Sequence, residues 1–263
     1  MEILGYLLAI VMGITLGLLG GGGSILTVPI LVYVLRLDPV LATAYSLFVV
    51  GTTSVVGGLR KSRQGEVEWK TGLLFALPAL IAVFFTRYTL VPWLPETWFT
   101  IGGFVFTKSI GIMVFFAIVM LAAAYSMIRG GIAPEKDSAK GPNIPMILLE
   151  GGVVGVVTGL VGAGGGFLIV PALVLLVGMP MKKAVGTSLI IIAIKSLIGF
   201  LGDLGSGRAI DWPVLLLFTA FSIIGMFIGS YLVRFVSPQQ LKKGFGWFVL
   251  LMGIVIMLTE FLA

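Results

Sequence analysis

The chain has 263 residues, 59% of them hydrophobic and 11% charged, with a mean hydropathy of +1.16; soluble domains average roughly 45–50% apolar and about 25% charged residues, so a soluble globular protein is excluded. Seventeen Lys and Arg against eleven Asp and Glu give a net charge of +6, but in so apolar a chain the basic excess sits between apolar runs and reports membrane topology rather than nucleic-acid binding. With no Cys and no His there is no disulfide, usual zinc site, thiol nucleophile or histidine relay, so no metal or cofactor is expected and most enzyme chemistries drop out.

The first apolar segment, Ile3 to Leu35, has Glu2 where a signal peptide would carry basic residues and runs through Gly20-Gly21-Gly22-Gly23 without an Ala-x-Ala site. It is expected to be retained. Runs long enough to span a bilayer follow at Val40 to Leu59, Thr71 to Val91 and Ser109 to Ile128. The stretch Arg129 to Asn143 is the most polar of the chain and reads as a linker. Beyond it Ile144 to Val177 is again long and interrupted, by Gly162-Ala163-Gly164-Gly165-Gly166, and spans follow at Met181 to Leu201, Pro213 to Val233 and Phe245 to Leu262.

The halves repeat. Gly17 to Pro29 aligns without a gap on Gly159 to Pro171, 142 positions on, and the register holds through Ser46-Leu47 on Ser188-Leu189, Ser54 on Ser196 and Gly57 on Gly199. After one inserted residue Glu68-Trp69 falls on Asp211-Trp212. The chain therefore reads as one membrane domain built from a first repeat (1–128), a cytoplasmic linker (129–143) and a second repeat (144–263).

Charge counting chooses the orientation. If each glycine-interrupted segment crosses once, the loop Lys and Arg divide 8 against 8 and show no bias. If each is a re-entrant hairpin, Arg60, Lys61, Arg63, Lys70, Arg129, Lys136, Lys140, Lys182, Lys183, Arg234, Lys242 and Lys243 share one side, against Arg36, Arg87, Lys108 and Arg208 on the other, with Lys195 inside the membrane. That asymmetry favours two inverted repeats, each a Gly-broken re-entrant hairpin plus three transmembrane helices, with both termini outside. The second arms, Ser24 to Leu35 and Phe167 to Val177, would reach only about 16–18 Å as helix, too short for a core of about 30 Å.

Non-helical backbone at membrane depth needs protein or a water-filled cavity around it. Each second arm would start just past its glycines, with Ser24 at an N-cap position in the first half and Gly166 in the second, aiming N–H groups and a positive helix end at the membrane middle. Two such ends make an anion site from Gly21, Gly22, Gly23 and Ser24 with Gly164, Gly165 and Gly166; the alternative is that the glycines only permit close helix packing. Ser188 and Lys195, seven apart, share a helix face, as do their counterparts Ser46 and Thr53. An intramembrane lysine points to function, with snorkelling to an interface as the alternative. Glu150, in the first arm of the second hairpin, is the candidate for proton coupling, with an interfacial carboxylate as the alternative, whereas Glu66, Glu68 and Asp211 fall in loops and read as solvated.

No phosphate-binding loop follows the glycines, and without His only Lys195 could serve a serine protease as base. The order of the glycine break, Val28-Pro29-Ile30-Leu31, Ala42-Thr43-Ala44-Tyr45-Ser46-Leu47 and Arg60 to Trp69, echoed by Val170-Pro171-Ala172-Leu173, Ala184 to Leu189 and Asp211-Trp212, resembles the sulfite exporter TauE/SafE family, also called the toluene-sulfonate uptake permease family. The resemblance implies a multi-pass secondary transporter of the cell inner membrane, working by alternating access on a small sulfur-containing anion such as sulfite or a sulfonate. Its partners would be that anion, the lipid bilayer and a coupling proton or ion. Tyr45 in place of a counterpart to Thr187 makes the half-sites unequal. An anion channel stays open as an alternative reading, and so does an intramembrane enzyme or assembly factor.

The inverted arrangement puts Ser206 outside and Ser62 and Ser138 inside. Single cysteines at these positions of the Cys-free chain should label with an impermeant thiol reagent from opposite sides; Ser138→Cys and Ser206→Cys labelling from one side would overturn it.

Overall fold

The computed structural model describes residues 2–37, 39–90, 93–101, 104–129, 144–161, 166–204 and 210–262. Its helices in chain order are α1 (Glu2–Leu19), α2 (Ser24–Pro29), α3 (Pro39–Arg63), α4 (Trp69–Phe85), α5 (Lys108–Arg129), α6 (Ile144–Val161), α7 (Gly166–Pro171), α8 (Met181–Leu204), α9 (Trp212–Leu232) and α10 (Pro238–Leu262). Over the described residues all six expected spans are helical. Five helices among the described residues are long and apolar enough to cross a membrane, Leu41–Arg63, Trp69–Leu90, Met181–Leu201, Trp212–Phe235 and Gln239–Leu258, and α5 contributes a shorter apolar stretch, Ala117–Arg129. The linker 130–143 lies outside the described residues.

The first long segment breaks where its glycines are. A 3-10 turn (Gly20–Gly23) separates α1 from α2; in the second half α6 is described to Val161 and α7 from Gly166, with 162–165 outside the described residues. The short arms α2 and α7 each end in a proline, Pro29 and Pro171, and each then widens into one π-helical turn, Ile30–Val34 and Ala172–Leu176. A proline inside a helix removes a backbone bond and crowds the carbonyl four residues back, which the wider turn relieves. An antiparallel hairpin of β1 (Thr97–Ile101) and β2 (Phe104–Thr107), with Phe99 stacked on Phe106, precedes α5. The reading of spans did not foresee it, although Gly102-Gly103 between two aromatic and β-branched runs is a hairpin signal.

The closest helix pairs join one half to the other. A Cβ placed on Gly13 would lie 2.0 Å from the Ser222 carbonyl oxygen, on Gly17 2.6 Å from that of Met226, on Gly225 2.1 Å from that of Ile10 and on Gly229 2.2 Å from that of Ile14. Moving up α1 therefore moves up α9, so these helices run parallel. Gly151 and Gly155 set α6 against Phe75 and Ala79 in the same way, and α6 runs parallel to α4. By contrast Gly51 meets Leu197 while Gly58 meets Ile190, so α3 and α8 run antiparallel. Gly246 beside Met127 and Gly253 beside Met120 give α5 and α10 the same relation.

Helices α3 and α8 are the most enclosed spans, while α4 and α10 present rows of large apolar side chains, Leu73, Leu77, Ile81 and Phe84 on one and Trp247, Leu251 and Leu258 on the other. Such rows on a chain of this hydropathy face lipid.

Gly13→Ala should destabilise the protein by about 1–3 kcal/mol, because its methyl group forces α1 from α9. Gly152→Ala, where a Cβ meets nothing within 4 Å, should not. Thermal unfolding of both variants in detergent tests the contrast.

Candidate functional site

Glycine 20 makes the break. Leu19 is at φ −111°, ψ 0°, and Gly20 takes φ +68°, a left-handed conformation that glycine adopts without penalty. The chain then doubles back. A Cβ on Gly23 would lie 2.6 Å from the Met12 carbonyl oxygen, and one on Gly5 would lie 2.6 Å from Cδ2 of Leu35, so the second arm returns along α1 to its start.

The arm starts earlier than expected, and Ser24 does not cap it. Residues Gly20–Gly23 are already helical, and the Ser24 hydroxyl donates to the Gly21 carbonyl at 2.7 Å instead of accepting an N–H. In such a turn the N–H of Gly22 bonds back to Leu19, so those that the turn itself leaves without an acceptor are Gly20 and Gly21. Gly22 and Gly23 lie in this turn, Gly23 packed on α1.

Gly164 and Gly165 fall outside the described residues. Gly166, the first residue of α7, lies against the first break: a Cβ on Gly21 would stand 1.7 Å from the Gly166 carbonyl oxygen, and one on Gly166 3.0 Å from Ser24 Oγ and 2.7 Å from Ile192 Cδ1. A Cβ on Gly20 would stand 2.6 Å from Ser188 Oγ and 3.2 Å from Val185 Cα. The structure thus brings Gly21, Ser24, Gly166 and Ser188 together, along a stripe of α8 made by Val185, Ser188 and Ile192. Lys195 continues that stripe one turn on.

Lys195 is 6% exposed and does not snorkel: its Nζ donates to Thr158 Oγ1 at 3.3 Å, and the Thr158 hydroxyl donates to the Gly155 carbonyl at 3.2 Å. Glu150, expected as either a coupling or an interfacial carboxylate, is buried at 6% exposure on α6. Ser46 and Thr53 are buried on α3, and the antiparallel register puts Thr53 level with Lys195. The hydroxyls of Thr53 and of Thr27, on α2, are buried without a hydrogen-bond partner. Sequence reasoning passed over Thr27 and Thr158, although Thr158 stands only four residues before Gly162. Among the described residues no group of three or more carboxylates comes together to hold a metal.

The loop carboxylates are not simply solvated. Glu66 pairs with Lys61 at 2.5 Å, and that lysine, at the end of α3, is only 2% exposed. Glu68 pairs with Lys183 of the other half at 2.5 Å, and Asp211 caps α9 by accepting the Val214 N–H at 3.2 Å. Residues 64–68 form a strap across the start of α8: a Cβ on Gly186 would lie 2.1 Å from the Glu66 carbonyl oxygen, and the Glu68 N–H donates to Thr187 Oγ1 at 3.0 Å. In the other half the Asp211 N–H donates to the Tyr45 hydroxyl at 2.5 Å. Tyr45 and Thr187, unequal as side chains, do the same work, each accepting an N–H at the start of the next helix of the opposite half.

A model of the sulfite exporter TauE/SafE family matches residues 5–256. A probable membrane transporter protein of Xylella fastidiosa is 29% identical over 252 residues, covering 93% of this chain and 90% of that protein. The probable membrane transporter protein YunE of Bacillus subtilis is 27% identical, covering 96% of this chain and 95% of that protein. No solved structure matches the chain.

Glu66→Gln should destabilise the protein by about 3 kcal/mol, since it leaves the Lys61 ammonium buried without its carboxylate, and adding Lys61→Met should recover most of that loss. Denaturant or thermal unfolding of wild type, single and double variants tests this; equal loss in both variants would show that the ion pair is not the source.

Proposed function

The chain belongs to the sulfite exporter TauE/SafE family of membrane transporters, not enzymes, and on that premise we propose that it moves a small sulfur-containing anion, such as sulfite or a sulfonate, across the inner membrane by alternating access. The observation that carries this reading is the meeting of the glycine breaks on the α8 stripe that leads from Ser188 to a buried Lys195. Backbone N–H groups at Gly20 and Gly21, the start of α7, the hydroxyls of Ser46, Thr53 and Ser188 and the Lys195 ammonium are the groups suited to an oxyanion. Ser24 contributes by holding the Gly21 carbonyl away from an incoming anion, and Glu150 is the group suited to carry a coupled proton.

The proposal includes two inverted repeats, residues 1–128 and 144–263 about a cytoplasmic linker, with both termini outside. The antiparallel crossings of α3 with α8 and of α5 with α10 support it. Each pair consists of equivalent helices of the two halves, and a two-fold axis that reverses a spanning helix lies in the membrane plane.

Purified protein in liposomes should take up labelled sulfite or a sulfonate with saturating kinetics. Lys195→Met should leave the fold intact and weaken anion binding by about 1.5–3 kcal/mol, the range for a charge-assisted hydrogen bond, and Lys195→Arg should keep part of the affinity. Equal affinities of wild type and Lys195→Met at two salt concentrations would remove Lys195 from the site, and non-saturating flux would turn the reading to a channel.

A further inference from the structure

The 142-residue register makes Tyr45 the counterpart of Thr187, and the two stand at opposite ends of the antiparallel α3–α8 pair. Gly51 beside Leu197 and Gly58 beside Ile190 set Thr187 level with Lys61, and a Cβ on the neighbouring Gly186 would lie 3.3 Å from Lys61 Cβ. Tyr45 is about 24 Å from that level at the α-helical rise. At each end the residue that opens the next spanning helix reaches across to the opposite half. The Glu68 N–H, before α4, donates to Thr187 Oγ1 at 3.0 Å, and the Asp211 N–H, before α9, donates to the Tyr45 hydroxyl at 2.5 Å. Tyr45, Ser46, Thr187 and Ser188 are all buried.

An N–H at a helix start has no acceptor in its own helix, so water can take the place of the hydroxyl once such an end opens. The bond is then worth only about a 3- to 10-fold bias toward closure, small enough for a bound ligand to reverse. What surrounds the two bonds differs. Beside Thr187 the fastening is ionic: Glu68 pairs with Lys183 at 2.5 Å, both partly exposed, and Glu66 with the enclosed Lys61. Beside Tyr45 the rings of Phe48, Phe200 and Trp212, from α3, α8 and α9, pack on one another with centroids 5.0, 6.1 and 6.4 Å apart. By the register Phe48 and Phe200 correspond to Ile190 and Gly58, and Lys183 to Leu41. Neither the ring cluster nor the Glu68–Lys183 pair can therefore recur at its counterpart positions.

Resting on the inverted-repeat transport reading above, we infer that these two contacts are the gates of the cycle. Glu68 on Thr187 closes the cytoplasmic end, Asp211 on Tyr45 closes the outer end, and opening of one requires the other to stay shut, since a path open at both ends leaks. The first break couples the cytoplasmic gate to the site: Gly20 rests on Val185 and Ser188, and the strap on Gly186 and Thr187, so both grip the same turn of α8. The cytoplasmic gate is weakened by salt, because its Glu68–Lys183 pair is partly exposed. The outer gate, closed by rings, is not.

Two reporters in the Cys-free full-length chain test this, Ser46→Cys beside the outer gate and Ser188→Cys beside the cytoplasmic one, labelled with an impermeant thiol reagent from either side of sealed vesicles. Thr187→Val should raise Ser188→Cys labelling from the cytoplasmic side about 3- to 10-fold and lower Ser46→Cys labelling from outside; Tyr45→Phe should do the reverse. Glu68→Gln should act as Thr187→Val does but by about 2- to 5-fold, an effect that high salt reproduces in the wild type and that Glu68→Lys combined with Lys183→Glu reverses. Melting establishes that each variant is folded, and Thr187→Ala replaces Thr187→Val if the valine variant is not. Labelling of both reporters that rises together in one variant overturns the inference, and so does labelling unchanged in all of them; both leave the transport reading standing. Labelling of the two reporters from the same side, or no uptake of labelled sulfite by the wild type in the same vesicles, removes the premise instead.

Discussion

An unpaired peptide group inside a bilayer costs several kcal/mol, and a chain that breaks two helices at depth must enclose the breaks in protein. This fold does so by placing one break on the other. Gly21 and Gly166 are so close that neither has room for a side chain, and α8 closes over them through Val185, Ser188 and Ile192. The contact explains why the breaks are made of glycine, and it also ties them to one helix face. An anion can lie between the two only after they part, which makes their separation a necessary step of the proposed transport cycle.

The way the halves are joined restricts how that separation can happen. The tight glycine-mediated pairs, α1 with α9, α4 with α6, α3 with α8 and α5 with α10, all cross from one half to the other. Rocking one half as a rigid body against its partner would break all of them at once, and packed interfaces of this kind do not deform continuously. The short arms are better placed to move: α2 and α7 are six residues each, begin at the breaks and pass into π turns at their prolines. The strap 64–68 lies over Gly186 and Thr187, beside the Val185 and Ser188 that touch Gly20. Motion of the first break toward that face must displace the strap or carry it along.

The large features were legible in the sequence because they rest on the period and length of apolar runs. Six spans, two interrupted segments, the 142-residue repeat and the family resemblance all come from such patterns. What escaped depends on partners distant in the chain. Nothing near Glu66 reveals that Lys61 is enclosed by the start of α8, and nothing near Tyr45 reveals the Asp211 N–H that it receives. Ser24 looked like a cap because a serine after glycines usually is one, but the preceding glycines had already entered a 3-10 turn and left its hydroxyl a carbonyl to serve. Thr158 was hidden by its commonness, since a lone threonine in an apolar helix carries no signal until its neighbour across the interface is known.

Two buried lysines show how surroundings assign different work to the same side chain. Lys61 ends a helix beside the strap, and its charge is matched by Glu66 at 2.5 Å; removing either partner alone would leave the other uncompensated, so the pair acts as a fastening. Lys195 stands within α8, level with Thr53 of α3, and donates to the Thr158 hydroxyl of α6, away from any strap or loop carboxylate. The 142-residue register sets Leu8, Leu16 and Thr53 of the first half against Glu150, Thr158 and Lys195 of the second. The glycines beside these positions are common to both halves, Gly13 and Gly17 in α1 and Gly155 and Gly159 in α6, so the exchange of side chains leaves the close approach of those helices to α9 and α4 intact.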